Sequence, residues 1–289
     1  MCTQPANAQD MEPRAYSNAP TGTNFLLGGY SYSRGEVSLD SALPISGVKA
    51  KIGTTSVGYS RTFGLFGRLA SAAAIVPYIN GDLSGDVGEE HREITRDGVG
   101  DMRFRAAINL LGGPALTPKE FAQRPHDTTL GFSTVIVAPS GEYNSEHLIN
   151  IGANRWAFKP EIGLSQPLGD WFLDGAAGVW LYTDNQNFYG GKRRSQDPIP
   201  SFQLHGGYNF LPGVWLAADA TYWTGGKTSL DGVHANDLQS NSRYGLTLSL
   251  PITKSYSFKV GWSTGLTTRV GGDFDTFLAA VQYRWFDTI

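Results

Sequence analysis

Cysteine is almost missing from this chain, whose 289 residues include only Cys2. An intramolecular disulfide is therefore excluded, as is a zinc site built on thiolates. No lipobox precedes Cys2, so it does not read as a lipid attachment point. Charge is scarce as well. Asp, Glu, Lys and Arg make up 17%, against roughly 25% in an ordinary soluble domain. The formal net charge of −3 argues against a nucleic-acid partner. Long apolar runs are also absent. The longest, residues 72–79, contains Pro77 and falls far short of the roughly 18 residues a membrane helix needs. A helical membrane protein is excluded. A protein that crosses with strands is not, because such strands are short and only half apolar.

What the chain does have is alternation, clearest at residues 274–286. Phe277, Ala279, Val281, Tyr283 and Trp285 share one face, and Leu278, Ala280, Gln282 and Arg284 the other. A period of two means a strand with chemically different faces. An apolar face ending in aromatics is what an outer-membrane barrel turns to lipid. A soluble sandwich or lipocalin-like barrel could carry one such strand, so the rest of the chain must decide.

The pattern recurs. Strands are expected at 24–34, 49–63, 68–80, 101–111, 128–139, 154–166, 171–182, 201–210, 214–223, 241–250, 255–267 and 274–286. Tight turns at 64–67, 167–170, 211–213 and 251–254 fall at one end. Long connections, among them an acidic loop at 82–98, fall at the other. The exception is 112–127, where Thr117-Pro118-Lys119-Glu120 is a capping box that predicts a short helix. Short turns at one end and long loops at the other are the mark of an outer-membrane barrel. The aromatics sort by depth in the same way. Trp171, Phe210, Tyr256, Tyr283 and Trp285 fall near the turn ends, and Tyr32, Trp156, Tyr222 and Tyr244 near the loop ends.

The expected fold is all-β, an antiparallel transmembrane β-barrel of about 12 strands spanning 24–289 in the bacterial outer membrane, with both termini periplasmic. Residues 9–23 carry Pro13, Pro20 and Gly22 without periodicity and read as an extended arm. It is expected to fold into the mouth of the barrel with Arg14 and Tyr16 against a polar lumen. Residues 1–8 read as the remnant of a signal peptide. Ala6-Asn7-Ala8 fits a small-x-small cleavage site, with Gln9 as the mature N-terminus.

The face opposite the apolar one would line the solute pathway. It carries Arg103, Arg105, Arg155, Lys159, Glu161, Asp174, Trp180, His205, Trp215, Asp219, Arg243, Lys259 and Arg284. Lys159 and Glu161 share a face and are expected to pair. The remaining cations outnumber the acids, which predicts a preference for small organic anions. Tyr182 and Trp223, with Trp180 and Trp215, would stack on flat rings. Arg103 and Arg105, projecting from one strand, are the first choice for a constriction.

No catalytic, metal or cofactor site is expected. Gly98-x-Gly100-Asp101 lacks the third glycine of a nucleotide loop and leads into a strand. His91, His126, His147 and His234 lie in expected loops without metal spacing, and His205 reads as a wall residue. A lipid-acting enzyme of the membrane and a non-conducting structural barrel remain alternatives. The expected partners are outer-membrane lipids and lipopolysaccharide, a small organic solute, and the barrel-assembly machinery through the C-terminal strand.

Four stretches add a resemblance: AYSNAPTGTNF at 15–25, GVGDM at 98–102, PSGEY at 139–143 and GANRW at 152–156. In their order and spacing they resemble the outer-membrane family named for the meta pathway of phenol degradation, whose members are described as transporters. The resemblance implies a barrel linked to uptake of aromatic or other hydrophobic compounds. It carries over no substrate-binding residues.

Overall fold

Alternation along the chain becomes a closed antiparallel barrel of twelve strands. The structure is a computed structural model and describes residues 11–38, 45–124 and 127–287. The expected signal-peptide remnant and His126 lie outside the described residues. The strands are β1 (Thr23–Ser38), β2 (Ile45–Leu65), β3 (Arg68–Val87), β4 in two parts (Glu90–Val99 and Arg103–Leu111), β5 (Thr129–Val137) and β6 (Ala157–Leu168). They continue as β7 (Trp171–Tyr182), β8 (Ile199–Leu211), β9 (Val214–Gly225), β10 (Gln239–Pro251), β11 (Tyr256–Thr268) and β12 (Gly271–Phe286).

Each strand pairs with its neighbours in sequence. β1 and β12 close the ring, in register from Thr23 opposite Phe286 to Ser38 opposite Gly271. A closed ring leaves no edge, so the ladder satisfies its own backbone groups where water is absent. The seam continues past the strands. Asp287 N donates to the Gly22 carbonyl at 2.9 Å, and Asn24 Nδ2 donates to Asp287 Oδ1 at 2.8 Å.

Burial follows the sequence alternation. Along β9, Trp215, Ala217, Asp219, Thr221 and Trp223 are buried, while Leu216 and Tyr222 are exposed. The buried set faces the lumen. The exposed set joins Phe104, Ile162, Leu164, Phe202, Leu204, Leu246 and Phe277 in one outward band. So large an apolar surface belongs in lipid. Aromatic pairs mark its two rims. At the turn end Trp171 meets Tyr208 with centroids 4.9 Å apart, and Tyr256 meets Tyr283 at 4.8 Å. Toward the loop end Trp156 stacks on Phe158 at 6.2 Å, and Tyr244 meets Trp262 at 5.8 Å. The turn between β8 and β9 places Gly213 at φ 82°, a conformation glycine adopts without a Cβ clash.

The short helix α1 (Pro118–Phe121) forms where the capping box predicts it. Thr117 N donates to Glu120 Oε2 at 2.9 Å, and Glu120 N donates back to Thr117 Oγ1 at 3.4 Å. The Thr117 backbone N–H and hydroxyl, both donating to Glu120 Oε2, hold that carboxyl below its usual pKa.

Three expectations change. The acidic loop at 82–98 is a hairpin: β3 runs on to Val87, turns, and pairs with the first part of β4, from Val87 opposite Glu90 to Tyr78 opposite Val99. β4 is broken at 100–102, where Asp101 accepts from Gly141 N and Ala153 N, both at 2.8 Å. The loops between β7 and β8 and between β9 and β10 are not featureless. Asn185–Phe188, Lys192–Gln196, Thr228–Leu230 and Val233–His234 form a separate four-stranded sheet. Pro160 is accommodated as a strand proline must be, for the β6–β7 pairing skips Lys159 and Pro160.

The face assignment has a direct test. Val281 is exposed and outward on β12, and Gln282 beside it points inward. Val281→Arg should lower the unfolding free energy in lipid by about 2–4 kcal/mol near the bilayer midplane. Gln282→Arg should cost much less. Equal losses in a urea titration of vesicle-embedded protein would overturn the face assignment, and the reverse order would mean the faces are exchanged.

Candidate functional site

The arm lies inside the barrel. Gly22 N donates to the Thr62 carbonyl at 2.9 Å, and Thr21 N to the Leu116 carbonyl at 2.8 Å. Asn18 Oδ1 accepts from Asn109 Nδ2 of β4 at 2.8 Å. The Tyr16 hydroxyl donates to Glu161 Oε1 of β6 and sits 2.8 Å from Ser133 Oγ of β5. Arg14 N donates to Asp174 Oδ2 of β7 at 2.8 Å, and its guanidinium donates to Asn209 Oδ1 of β8 at 2.7 Å. That guanidinium also stacks on Phe172, 4.7 Å from the ring centre, and on Trp215 at 5.7 Å. Glu12 N reaches Gln203 Oε1 at 3.3 Å. The arm thus follows the inner wall from β2 round to β9.

The wall is shaped to receive it. A Cβ at Gly163 would fall 2.0 Å from the Tyr16 ring, so only glycine lets the ring lie flat there. Arg14 holds φ 67°, a conformation that costs on the order of 1–3 kcal/mol and persists because its partners fix it.

The inward acids are engaged. Glu161 takes Tyr16, the Lys159 ammonium at 2.5 Å and Gln203 Nε2 at 3.2 Å. The expected Lys159–Glu161 pair is therefore present, and buried. Asp174 holds the arm. Asp219 sits 2.7 Å from His205 Nδ1 and accepts from Thr247 Oγ1 at 2.6 Å.

The inward cations divide. Lys159 lies 5.7 Å from the Trp180 ring centre, Arg105 5.2 Å from Tyr16, Lys259 5.6 Å from Trp215, and Arg155 4.4 Å from Tyr182. Arg243 is turned into the wall. It donates to the Phe274 carbonyl at 2.8 Å and to Ser263 Oγ at 3.0 Å, bracing β10 against β11 and β12. Arg284 sits at the rim, donating to the Lys254 carbonyl at 2.8 Å in the β10–β11 turn. Arg103 projects from the same face as Arg105, opposite Ile75 of β3.

The lumen has two unlike sides. On β5 to β10 the inward residues are packed, and Ser133 and Ala217 are fully buried. On β11 no residue is buried. Inward Leu278 of β12 is 38% exposed, and inward Ile75 of β3 is 37% exposed. The accessible space therefore lies against β11, β12, β1 and β3, opposite the arm.

Sequence reasoning missed Arg194. It lies in Lys192–Gln196, outside the barrel strands, yet it is 9% exposed and sits 5.2 Å from the Phe188 ring centre. Burial pulls its pKa below the usual arginine value, against the opposite pull of Asp237. The one cue was alternation within a basic loop, which sets Arg194 and Gln196 on one side and Arg193 on the other.

Comparisons with known proteins fit this geometry. Among solved structures, an outer membrane channel from Pseudomonas putida F1 matches with a TM-score of 0.83 at 22% identity, over 96% of this chain and 100% of that one. The β domain of the Bordetella autotransporter BrkA matches with a TM-score of 0.58 at 13% identity, over 91% and 100%. A mutant of the TodX monoaromatic hydrocarbon channel matches with a TM-score of 0.50 at 14% identity, over 96% and 93%. At such identities these likenesses speak for the fold, a barrel of the outer-membrane type. No curated protein matches the sequence. A family model matches residues 31–285, nearly the whole chain, and the chain belongs to that family, described as the MetA-pathway of phenol degradation.

Proposed function

We propose that this protein is a passive outer-membrane channel for small aromatic or other hydrophobic organic compounds, with a preference for anions. The observation that carries the reading is the two-sided lumen. One side is filled by the arm and its polar partners. The other is accessible and sets apolar Leu278 and Ile75 beside Arg103, with Lys259 where it meets the arm, over Trp215. A flat ring can slide along the apolar surface while the cations draw a carboxylate, since a low-dielectric wall focuses their field. A twelve-stranded barrel leaves a path narrower than a 16-stranded porin. Family membership and the likeness to the TodX monoaromatic hydrocarbon channel support an aromatic cargo.

The short-turn end, with both termini, is placed in the periplasm, as in other barrels of this type. The outward face of β12 meets outer-membrane lipid, and that strand is the segment offered to the assembly machinery. A lipid-acting enzyme would need a serine activated by histidine on the lipid side. His205 is buried inside the barrel against Asp219, which disfavours that alternative.

Purified protein in planar bilayers should conduct, and in liposomes it should pass benzoate and benzyl alcohol. Silent bilayers would point to a structural barrel instead. Deleting residues 9–19 should raise conductance by removing the arm, and Gly163→Leu, which expels Tyr16 without deletion, should act in the same direction. Unchanged conductance in both folded variants would mean the arm does not narrow the path.

Selectivity is read separately, from the reversal potential in a salt gradient. Wild type should favour anions. Arg103→Ala/Arg105→Ala should shift the potential toward cations and cut benzoate flux by up to about tenfold. A cation-selective wild type, or an unshifted double variant, would remove these cations from the account.

A further inference from the structure

The loop end of the lumen holds donors that nothing in the protein accepts from. Arg194, 9% exposed, leaves Nε and Nη2 without a hydrogen-bond partner, and Arg155 leaves Nη1. Below them Trp180 Nε1 and Ser201 Oγ, in residues 0% and 2% exposed, are also unpartnered. The two guanidiniums meet at one place. Arg155 donates its other terminal nitrogen to Gln196, two residues from Arg194 on the same side of one short strand. Each lies over an aromatic ring, Arg155 over Tyr182 and Arg194 over Phe188.

The neighbouring acids are bonded elsewhere. Asp101 accepts from Gly141 N and Ala153 N, Asp184 pairs with Arg193, and Asp237 accepts from both Thr228 N and Thr228 Oγ1. Among the described residues neither Arg155 nor Arg194 makes an ion pair. Buried cations without a directly paired counter-ion are unfavourable, and two close together also repel. Elsewhere on the inner wall Lys159 pairs with Glu161, and Asp174 Oδ1 and Arg105 Nη2 are single unpartnered atoms. At the loop end the unpartnered donors cluster.

We infer that Arg155 and Arg194 form a binding site for an aromatic carboxylate at the loop end of the lumen. The carboxylate takes the side-on fork of Arg194, Nε and Nη2, which is free for two parallel hydrogen bonds. Arg155 Nη1 supplies a third. The ring lies among Tyr182 and Phe188. The inference rests on the channel reading and deepens it by naming where an anionic solute is first held.

The test uses the full chain solubilised in detergent, with binding followed by calorimetry and thermal melting. Benzoate is the probe, with neutral benzamide and inorganic phosphate as comparisons. Benzoate should bind and raise Tm, benzamide and phosphate far less. Arg155→Met/Arg194→Met should weaken benzoate binding about tenfold or more, the loss of a charge-assisted fork. Without ligand the double variant should melt higher than wild type, because its buried cations are gone. Arg194→Lys keeps the charge and removes the fork, so it should weaken benzoate binding in a barrel that folds as wild type does.

Equal binding of benzoate and benzamide would overturn the site. So would phosphate binding as tightly as benzoate, which would mark a bare oxyanion or lipid-headgroup site. Unchanged benzoate affinity in the variants would overturn it, as would a ligand-free double variant that melts lower. The assay needs no membrane, so failed solute passage in liposomes overturns the channel reading alone. Intact passage without benzoate binding overturns this site alone.

Discussion

A sheet that faces lipid must satisfy every backbone group within itself and keep its outer side chains apolar. The rest of this structure follows from that constraint. Closure of β1 on β12 settles the backbone. It also decides the faces, because a strand period of two leaves each side chain only two directions. The polar residues of the strands therefore crowd into a narrow interior. Inside, each needs a partner, since an unpaired buried polar group is costly. The arm answers much of that need: Tyr16 serves Glu161 and Ser133, and Arg14 serves Asp174 and Asn209. On this view the arm is part of the core of the barrel.

The strands were legible because lipid on one side makes the alternation severe. β9, β10 and β12 could be read residue by residue, and the pairing of Lys159 with Glu161 followed from a shared face. The hairpin from β3 into β4 was not legible. Residues such as Asp82, Arg92 and Arg96 stand on a sheet wetted on both faces, where nothing demands an apolar side. The break at Asp101 was hidden for another reason: it depends on donors from Gly141 and Ala153, about 40 to 50 residues away. Direction and engagement also proved separable. Arg243 and Arg284 face inward as their positions dictate, yet Arg243 is held by Phe274 and Arg284 by Lys254. Period decides the face, and tertiary packing decides the partner.

Arg194 is the extreme case of that separation. Only a short alternation within a basic loop marks it locally. Its burial comes from the small sheet that joins the β7–β8 loop to the β9–β10 loop, and that sheet is assembled from strands of two to five residues. Such strands carry too little pattern to read. The charge they place inside the barrel is nevertheless as well shielded from water as the wall residues that the alternation revealed.

The two halves of the lumen then differ in what they can offer a solute. In the turn half Glu161, Asp174 and Asp219 each hold groups of the protein, although Asp174 Oδ1 has no partner. A charged solute gains little there. The loop half keeps a cluster of unpartnered donors, and in the proposed site an anion would take them. A channel needs that gain to be limited, because a solute must leave the site that admits it. Asp101, Asp184 and Asp237 supply the limit. None forms an ion pair with Arg155 or Arg194 among the described residues, but each sets a negative charge near one of them and opposes the arriving carboxylate. On the proposed path Arg103 stands beside Ile75, near apolar Leu278, where a ring would keep apolar contact after its carboxylate had let go. Clustered unpartnered donors at the loop end and an accessible apolar side beyond them are the order in which the proposed passage would proceed.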